Sequence, residues 1–435
     1  MKPRVHCAGP AWDAVTHSNL CQRVLSGLVL GAVVVLYLLY GPHAAPFYLC
    51  SFVVAICNYE YSWLAARIVH RWRHCLAGGL PSAPADFDGT ACAIAGVACG
   101  YTKSVALLLS TLMAGVVTAG FVWVRHCAEW YSLPPAALHE FTIFLGMSSW
   151  LTLYCAFLTP SWTAAVSLVL QQIFYSFSVL TKILCAVGQH HCFIPLGTNY
   201  VRIDVVLVLI AVHLPLSLNH EASAATKVDG ILHTLLALVG YGYIVELMYP
   251  MSDLLAQVDD GPHIALGFLA VVWGADTGAY FTGHLLQWLK PRRTHKLAAH
   301  ISANKDIEGS VGGILLGVCG VVLVDVFMRS ADDDIDGRPT YSTRLGWRVG
   351  FAVVGASISR YGDLFASLLK RLAGVKDTGT LIPGHGGLLD RVDALLFVSA
   401  TFALYHRIVY PGGYVLDMVG LIRQQMQLID GRPVS

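Results

Sequence analysis

Apolar residues fall in long unbroken blocks along this chain, separated by short polar stretches. They do not follow the two-residue or 3.6-residue alternation of a water-soluble fold. Blocks at 24–40, 46–64, 104–124, 141–158, 162–187, 201–218, 231–248, 263–285, 311–328, 346–369 and 394–410 are each of membrane-crossing length. A crossing helix needs about 20 predominantly apolar residues. The pattern therefore predicts an all-α, polytopic helical membrane protein with about ten or eleven transmembrane helices. Gly41-Pro42 ends the first block. Residues 91–103 are apolar and glycine-rich but short, and read as a re-entrant or half-span segment that would change the count. No small-residue cleavage site follows the first block, so no removed leader is expected.

Composition sharpens the class. The chain is 56% hydrophobic and 13% charged, against about 25% charged in a typical soluble domain. The net charge of +1 carries no nucleic-acid footprint, and no nucleic-acid partner is expected. Twelve cysteines are scattered without a C-x-x-C pair, which predicts neither a disulfide framework nor a zinc site. Cys185 with His190, His191 and Cys192 is the most metal-like group, but its spacing matches no zinc pattern. Asp332-x-Asp334-x-Asp336-Gly337 opens like an EF-hand loop, yet its twelfth position is Thr343, so it reads as a solvated loop.

Basic residues orient the chain. Arg67, His70, Arg71, Arg73 and His74 read as a cytoplasmic loop by the positive-inside rule. Counting crossings from there returns 290–309 and 370–376, both rich in Lys and Arg, to the same side. The acidic stretch 330–343 falls on the other. The expected organisation is a cytoplasmic segment 1–23, an N-terminal transmembrane region 24–262, a catalytic transmembrane region 263–412 and a tail 413–435.

Three polar blocks interrupt this membrane pattern. Trp273–Gly283 places Asp276 inside an apolar run, where an ionisable residue is a functional signal that a transporter proton site would share. Ser302–Gly313 runs from Ser302, Asn304 and Lys305 into a glycine-rich helix start. Helix N-termini and a lysine suit phosphate oxygens, but the Walker A spacing is missing. The third block, 362–393, concentrates Asp363, Lys370, Arg371, Lys376, Asp377, His385, Gly386, Gly387, Asp390, Arg391 and Asp393. Asp390 and Asp393 are three apart at a helix start and share a face. With Asp363 they offer oxygen ligands of the kind Mg²⁺ takes alongside substrate phosphates.

Ser367 to Asp393 resembles the signature of CDP-diacylglycerol synthases (phosphatidate cytidylyltransferases), S-x-x-K-R-x4-K-D-x-G-x2-I-P-x-H-G-G-x-x-D-R-x-D, at every fixed position. Trp273–Gly283 is similar to that family's W-x-x-D-x-x-A-Y-x-x-G segment, with His284 where a basic residue is expected. Ser302–Gly313 resembles its S-P-N-K-T-x-E-G-x-x-G-G, with Ala303 for Pro, Asp306 for Thr and Ile307 where an aromatic is common. The start, from Arg23 through the Asn58–Trp63 segment, resembles its first two helices and their Glu-Trp-like ending more faintly, and between about 65 and 262 only hydrophobic spans are recognisable.

The resemblance implies transfer of CMP from CTP to phosphatidic acid, giving CDP-diacylglycerol and pyrophosphate, in a cytoplasm-facing polar cavity open to lipid. It implies Mg²⁺, with room for a second, monovalent cation, held by Asp363, Asp390 and Asp393 with Asp276 as a fourth acid. Lys370, Arg371, Lys376 and Arg391 would meet the phosphates. His385, Gly386 and Gly387 would bring backbone N–H groups to them, and Ser302, Asn304 and Lys305 would belong to the CTP site. Asp377 belongs to the same catalytic set. Homodimers are common in the family. The membrane would be the endoplasmic reticulum in a eukaryote or the plasma membrane in a bacterium. Other readings of the same residues are a CTP-dependent polyprenol kinase, an ion-coupled transporter using Asp276 and Asp363, and an inactive relative with a scaffolding role.

Overall fold

The computed structural model describes residues 27, 29–41, 45–76, 87–89, 91–98, 100–127, 135–188, 203–217, 224–255, 261–289, 295–327, 341–382 and 386–409. His385, the loop 332–336, His190, His191, Cys192 and the segments 1–23 and 413–435 lie outside these residues.

The apolar blocks form helices almost where the pattern places them. They are α1 (Val29–Tyr40), α2 (Ala45–Leu76), α3 (Thr102–Cys127), α4 (Pro135–Phe157), α5 (Trp162–Gly188) and α6 (Ile203–Ser217). Next come α7 (Ala224–Gly240) and α8 (Leu247–Leu255), joined without a break by a π-helical turn, Tyr241–Glu246. Then follow α9 (Gly261–Trp288), α10 (Ile307–Phe327), α11 (Tyr341–Ala373) and α12 (Leu389–Val409). Among the described residues, five segments are long and apolar enough to cross a membrane: 45–76, 102–124, 162–179, 228–252 and 307–327. Helices α11 and α12 carry Arg360 and, from the polar block, Asp363, Lys370, Asp390 and Asp393. The architecture is that of a helical membrane protein.

Three local expectations change. The basic stretch 67–74 is not a loop but the last turns of α2. Long basic side chains can snorkel there, and cations suit a helix C-terminus. The polar stretch after α9 is not wholly irregular. It folds into an antiparallel hairpin of β1 (Lys296–Ala298) and β2 (Ser302–Asp306), pairing Lys296 with Asp306 and Ala298 with Ser302. Residues 93–98 make turns instead of a half-span helix, tucked under the α4–α5 connection by Ala93 N–H to Thr159 O and Ile94 N–H to Phe157 O.

Two packed regions meet at α11 and α12. One core gathers Val54, Cys57, Tyr61 and Leu64 of α2 with Tyr175, Ile244, Leu369, Leu389 and Leu396. The other gathers Phe268, Val271, Ala275, Val321, Ala352, Val398 and Phe402 from α9 to α12. Helices α9 and α10 approach so closely that a Cβ on Gly274 would lie 2.6 Å from Gly317 Cα. Small residues permit such backbone contact between membrane helices. Helix α2 runs through the middle, packing on α4, α5, α7, α8, α11 and α12. Ser51, Ser148 and Gln172 tie it to α4 and α5 through buried hydrogen bonds of 2.8–3.2 Å.

Candidate active site

Three helix ends, the middle of α2 and the hairpin carry the expected site residues and their partners. Helix α10 starts there because Asp306 caps it: its Oδ1 accepts the Gly309 N–H at 2.9 Å. That is an N-cap reaching the third helical residue, so Asp in place of Thr preserves the cap. Glu308 in the first turn accepts the His295 N–H at 3.1 Å and lies 2.7 Å from its Nδ1, which ties hairpin to helix.

Helix α11 delivers the next set. It ends with Gly374 at φ +73°, Gly374 N–H to Arg371 O at 3.1 Å and Val375 N–H to Lys370 O at 2.9 Å. This pair of bonds is a Schellman cap, which needs a residue without a side chain in the left-handed region. Lys370 and Arg371 occupy the last turn, where positive charge suits the helix dipole.

Helix α12 starts under two carboxylates. Asp390 lies 2.8 Å from Lys370 Nζ through Oδ1, and its Oδ2 accepts the N–H groups of Thr378 at 2.8 Å and Gly387 at 3.0 Å. It thereby ties α11, the loop and α12 together. Glu60 of α2 does the same from the other side. It accepts the N–H groups of Leu388 at 2.9 Å and Leu389 at 2.7 Å, and the Thr378 hydroxyl at 3.1 Å. Gly386, at φ +87°, pairs its backbone with Ile382. Glycine is needed there for the conformation and at 387 for space, since a Cβ on Gly387 would sit 2.5 Å from Glu60 Oε2.

The expected acids and bases are brought together in pairs. Lys305 Nζ lies 2.7 Å from Asp363 Oδ2 and 3.4 Å from Ser367 Oγ, so β2 reaches the signature helix directly. Arg360 Nη1 lies 3.6 Å from Asp276 Oδ1, and another nitrogen of the same guanidinium donates to Ala275 O. Asp276 is within electrostatic reach of Lys305, Asp363 and Arg391, and Asp393 of Asp363, Asp276 and Lys370. Asp393 is buried, with Oδ1 accepting the Ala394 N–H at 2.7 Å. Arg371, Lys376, Asp377 and Arg391 face solvent. Ser302 is half-buried on β2, and Asn304 belongs to the same strand.

For the expected Mg²⁺ the donor chemistry fits, because the carboxylates of Asp276, Asp363 and Asp393 are hard oxygen ligands sharing one electrostatic neighbourhood. They are not preassembled: among the described residues no three of His, Cys, Asp and Glu lie close enough to hold an ion. Both oxygens of Asp390 already accept hydrogen bonds, so a metal there would share them.

Two residues escaped the reading of the sequence as site residues. Glu60 and Arg360 sit inside apolar runs, and that embedding was the available signal.

The arrangement can gather a polyanion. It presents solvent-facing cations, tight glycine backbone and carboxylates around the end of α11 and the start of α12. Comparison with known proteins agrees with that chemistry. The sequence profile of the Cytidylyltransferase family matches residues 90–409. A phosphatidate cytidylyltransferase of Thermotoga maritima is 39% identical over 151 residues, covering 35% of this chain and 52% of the relative. That of Staphylococcus saprophyticus is 37% identical over 139 residues, covering 32% and 47%. That of Haemophilus influenzae is 34% identical over 146 residues, covering 34% and 46%. The chain thus spans about half the length of the curated relatives it matches.

Proposed function

From the premise that the chain belongs to the cytidylyltransferase family, we propose that it transfers CMP from CTP to phosphatidic acid in a membrane. The products are CDP-diacylglycerol and pyrophosphate. The observation that carries this reading is the signature loop. Its charges lie beside those of β2 and α11 in two ion pairs, Lys305 with Asp363 and Lys370 with Asp390, and that clustering of cations and carboxylates supports a site for a polyanion.

The chemistry asks little of a general base. A phosphate monoester has a second pKa near 6, at about neutral pH largely deprotonated. An oxygen of the lipid phosphate attacks the α-phosphorus of CTP. The bond from that phosphorus to the oxygen bridging to the β-phosphate breaks, and pyrophosphate leaves with the electron pair. Catalysis then rests on positioning and on neutralising charge. Arg371, Lys376 and Arg391, which face solvent, meet the incoming phosphates. Gly386 and Gly387, whose own N–H groups are held by Ile382 O and Asp390 Oδ2, leave space for the phosphates to approach the loop backbone, and His385 belongs to the same loop. Ser302, Asn304 and Lys305 complete the CTP side. Asp363 and Asp393, with Asp276 and Asp390, would hold Mg²⁺. When bound, the ion supplies charge neutralisation on the triphosphate. A monovalent cation beside it and a homodimeric assembly are further parts of this reading.

The test is direct. Full-length protein in detergent receives CTP labelled at the α-phosphate, Mg²⁺ and phosphatidic acid. Label entering the lipid with stoichiometric pyrophosphate release supports the reading. Release of CDP without labelled lipid overturns it in favour of lipid phosphorylation. Absence of CTP turnover overturns both and makes Asp276 an ion-coupling residue to examine by flux.

A further inference from the structure

Helix α2 grips the signature loop at both of its ends. At the entry, Arg71 Nη1 donates to Arg371 O at 2.9 Å and to Leu372 O at 3.2 Å. These are carbonyls of the last turn of α11, where Arg371 O also takes the Gly374 N–H of the cap and a second donor can be accommodated. Gly374 turns against the same guanidinium, where a Cβ would lie 2.6 Å from Arg71 Nη1. At the exit, Glu60 accepts the first N–H groups of α12 and the Thr378 hydroxyl. Gly379 and Gly387 press on its carboxylate, leaving room for a Cβ only at 2.8 Å and 2.5 Å from its oxygens.

Glu60 is only 3% exposed. Among the described residues it forms no ion pair, so its charge is answered by N–H donors and the N-terminal end of α12. Glu60 and Arg71 are eleven residues apart, about three turns, so they stand on one face of one helix roughly 16 Å apart. The anion meets a helix N-terminus and the cation a helix C-terminus, each with the sign that end favours. Helix α2 itself lies outside residues 90–409, the part that matches the family profile.

We propose that α2 is a splint for the signature loop and that Glu60 and Arg71 are positioning residues. They fix the separation between the end of α11 and the start of α12. That separation sets where Lys376, Gly386 and Gly387 can meet a triphosphate. The proposal rests on the cytidylyltransferase reading for its kinetic consequence, but not for its structural one.

The experiment therefore has two arms on the full-length protein in lipid nanodiscs, with E60A, E60Q and R71M. Hydrogen–deuterium exchange reads the loop without reference to activity. Exchange at Thr378 and at 387–389 should rise at least tenfold in E60A, and at 374–375 in R71M, while α4, α5 and α9 keep their protection. Kinetics read the consequence. The KM for CTP should rise at least tenfold in E60A, with the KM for phosphatidic acid within twofold of the parent. E60Q, which keeps one acceptor oxygen, should fall between parent and E60A in both readouts. Loop exchange unchanged in E60A and R71M overturns the splint. So does an equal rise in both KM values, the mark of general loosening. Should E60A lose protection throughout, E60Q decides by the same readouts. A parent protein that turns over no CTP removes the proposed reaction, while the exchange arm still judges the splint.

Discussion

Asp390→Asn separates what the signature carboxylate builds from what it binds. In the parent, Oδ1 lies 2.8 Å from Lys370 Nζ, while Oδ2 accepts two backbone N–H groups. The paired side chains are 3% and 13% exposed, so water answers neither charge well. Asparagine has one acceptor oxygen and one donor amide. If its oxygen serves Thr378 and Gly387, its NH₂ faces the Lys370 ammonium, donor against donor. If it turns over, two backbone N–H groups lose their acceptor. Either way a buried cation stands without its counter-charge, which costs about 3–5 kcal/mol. That is a large share of the roughly 5–15 kcal/mol that holds a typical domain folded. Removing the cation as well relieves most of this cost, because two apolar or neutral groups of similar size replace a buried pair nearly neutrally. The assay is denaturation of D390N, K370M and the K370M/D390N double variant in one detergent, analysed as a double-mutant cycle. The expected order places the double variant clearly above D390N in stability, with both lacking CTP turnover. The reasoning is refuted if D390N is as stable as the parent, or if the double variant is no more stable than D390N.

Two further outcomes follow from the geometry and a third from the proposed reaction. G274A should destabilise the α9–α10 pair by about 1–3 kcal/mol through overpacking, since its Cβ would reach Gly317 backbone at 2.6 Å; G283A, with nothing within 4 Å, should leave stability unchanged or raise it, and thermal unfolding compares the two. K305M removes the cation 2.7 Å from Asp363 and should lower kcat/KM for CTP at least about tenfold, the worth of one charged hydrogen bond; steady-state kinetics at saturating phosphatidic acid read it. Chelation with EDTA should abolish CTP turnover and Mg²⁺ should restore it, with Ca²⁺ restoring less because it imposes no tight octahedral geometry.

The helices were legible because membrane-crossing elements are written as apolar blocks, and a block of 17–26 residues admits little else. Their ends were not. Residues 67–74 read as a loop because their charge is high, yet a helix that leaves the membrane can carry cations along its last turns. The hairpin at 296–306 was hidden for a different reason: its strands are three and five residues long, too short to show an alternation. Within the site, the signature announced Lys370, Asp390 and Asp393 by their density. Pairing was not legible. Nothing in the spacing joins Lys305 to Asp363 or Asp276 to Arg360, because those contacts cross between elements that the sequence separates by tens of residues. Glu60 lies 328 positions from the N–H of Leu388 that it accepts.

These pairings divide the labour of the signature. A cluster of Lys, Arg and Asp in a low-dielectric setting cannot consist of groups that all wait for substrate, since each unpaired buried charge costs several kcal/mol, about 3–5 by the measure of broken pairs. The buried members are accordingly engaged at rest: Lys370 with Asp390, Arg360 with Asp276 and Ala275, Glu60 with the start of α12. The solvent-facing members, Arg371, Lys376 and Arg391, keep their charge in water at little cost. Under the proposed reaction the first group sets the shape of the site and the second meets the phosphates. Substitutions in the two groups should therefore differ in kind. Loss of Arg371 or Lys376 should change substrate kinetics with stability within about 0.5 kcal/mol of the parent, as surface changes usually do. Loss of Lys370, Asp390 or Glu60 should change both together. Equal destabilisation across the two groups, measured by denaturation in one detergent, would contradict this division.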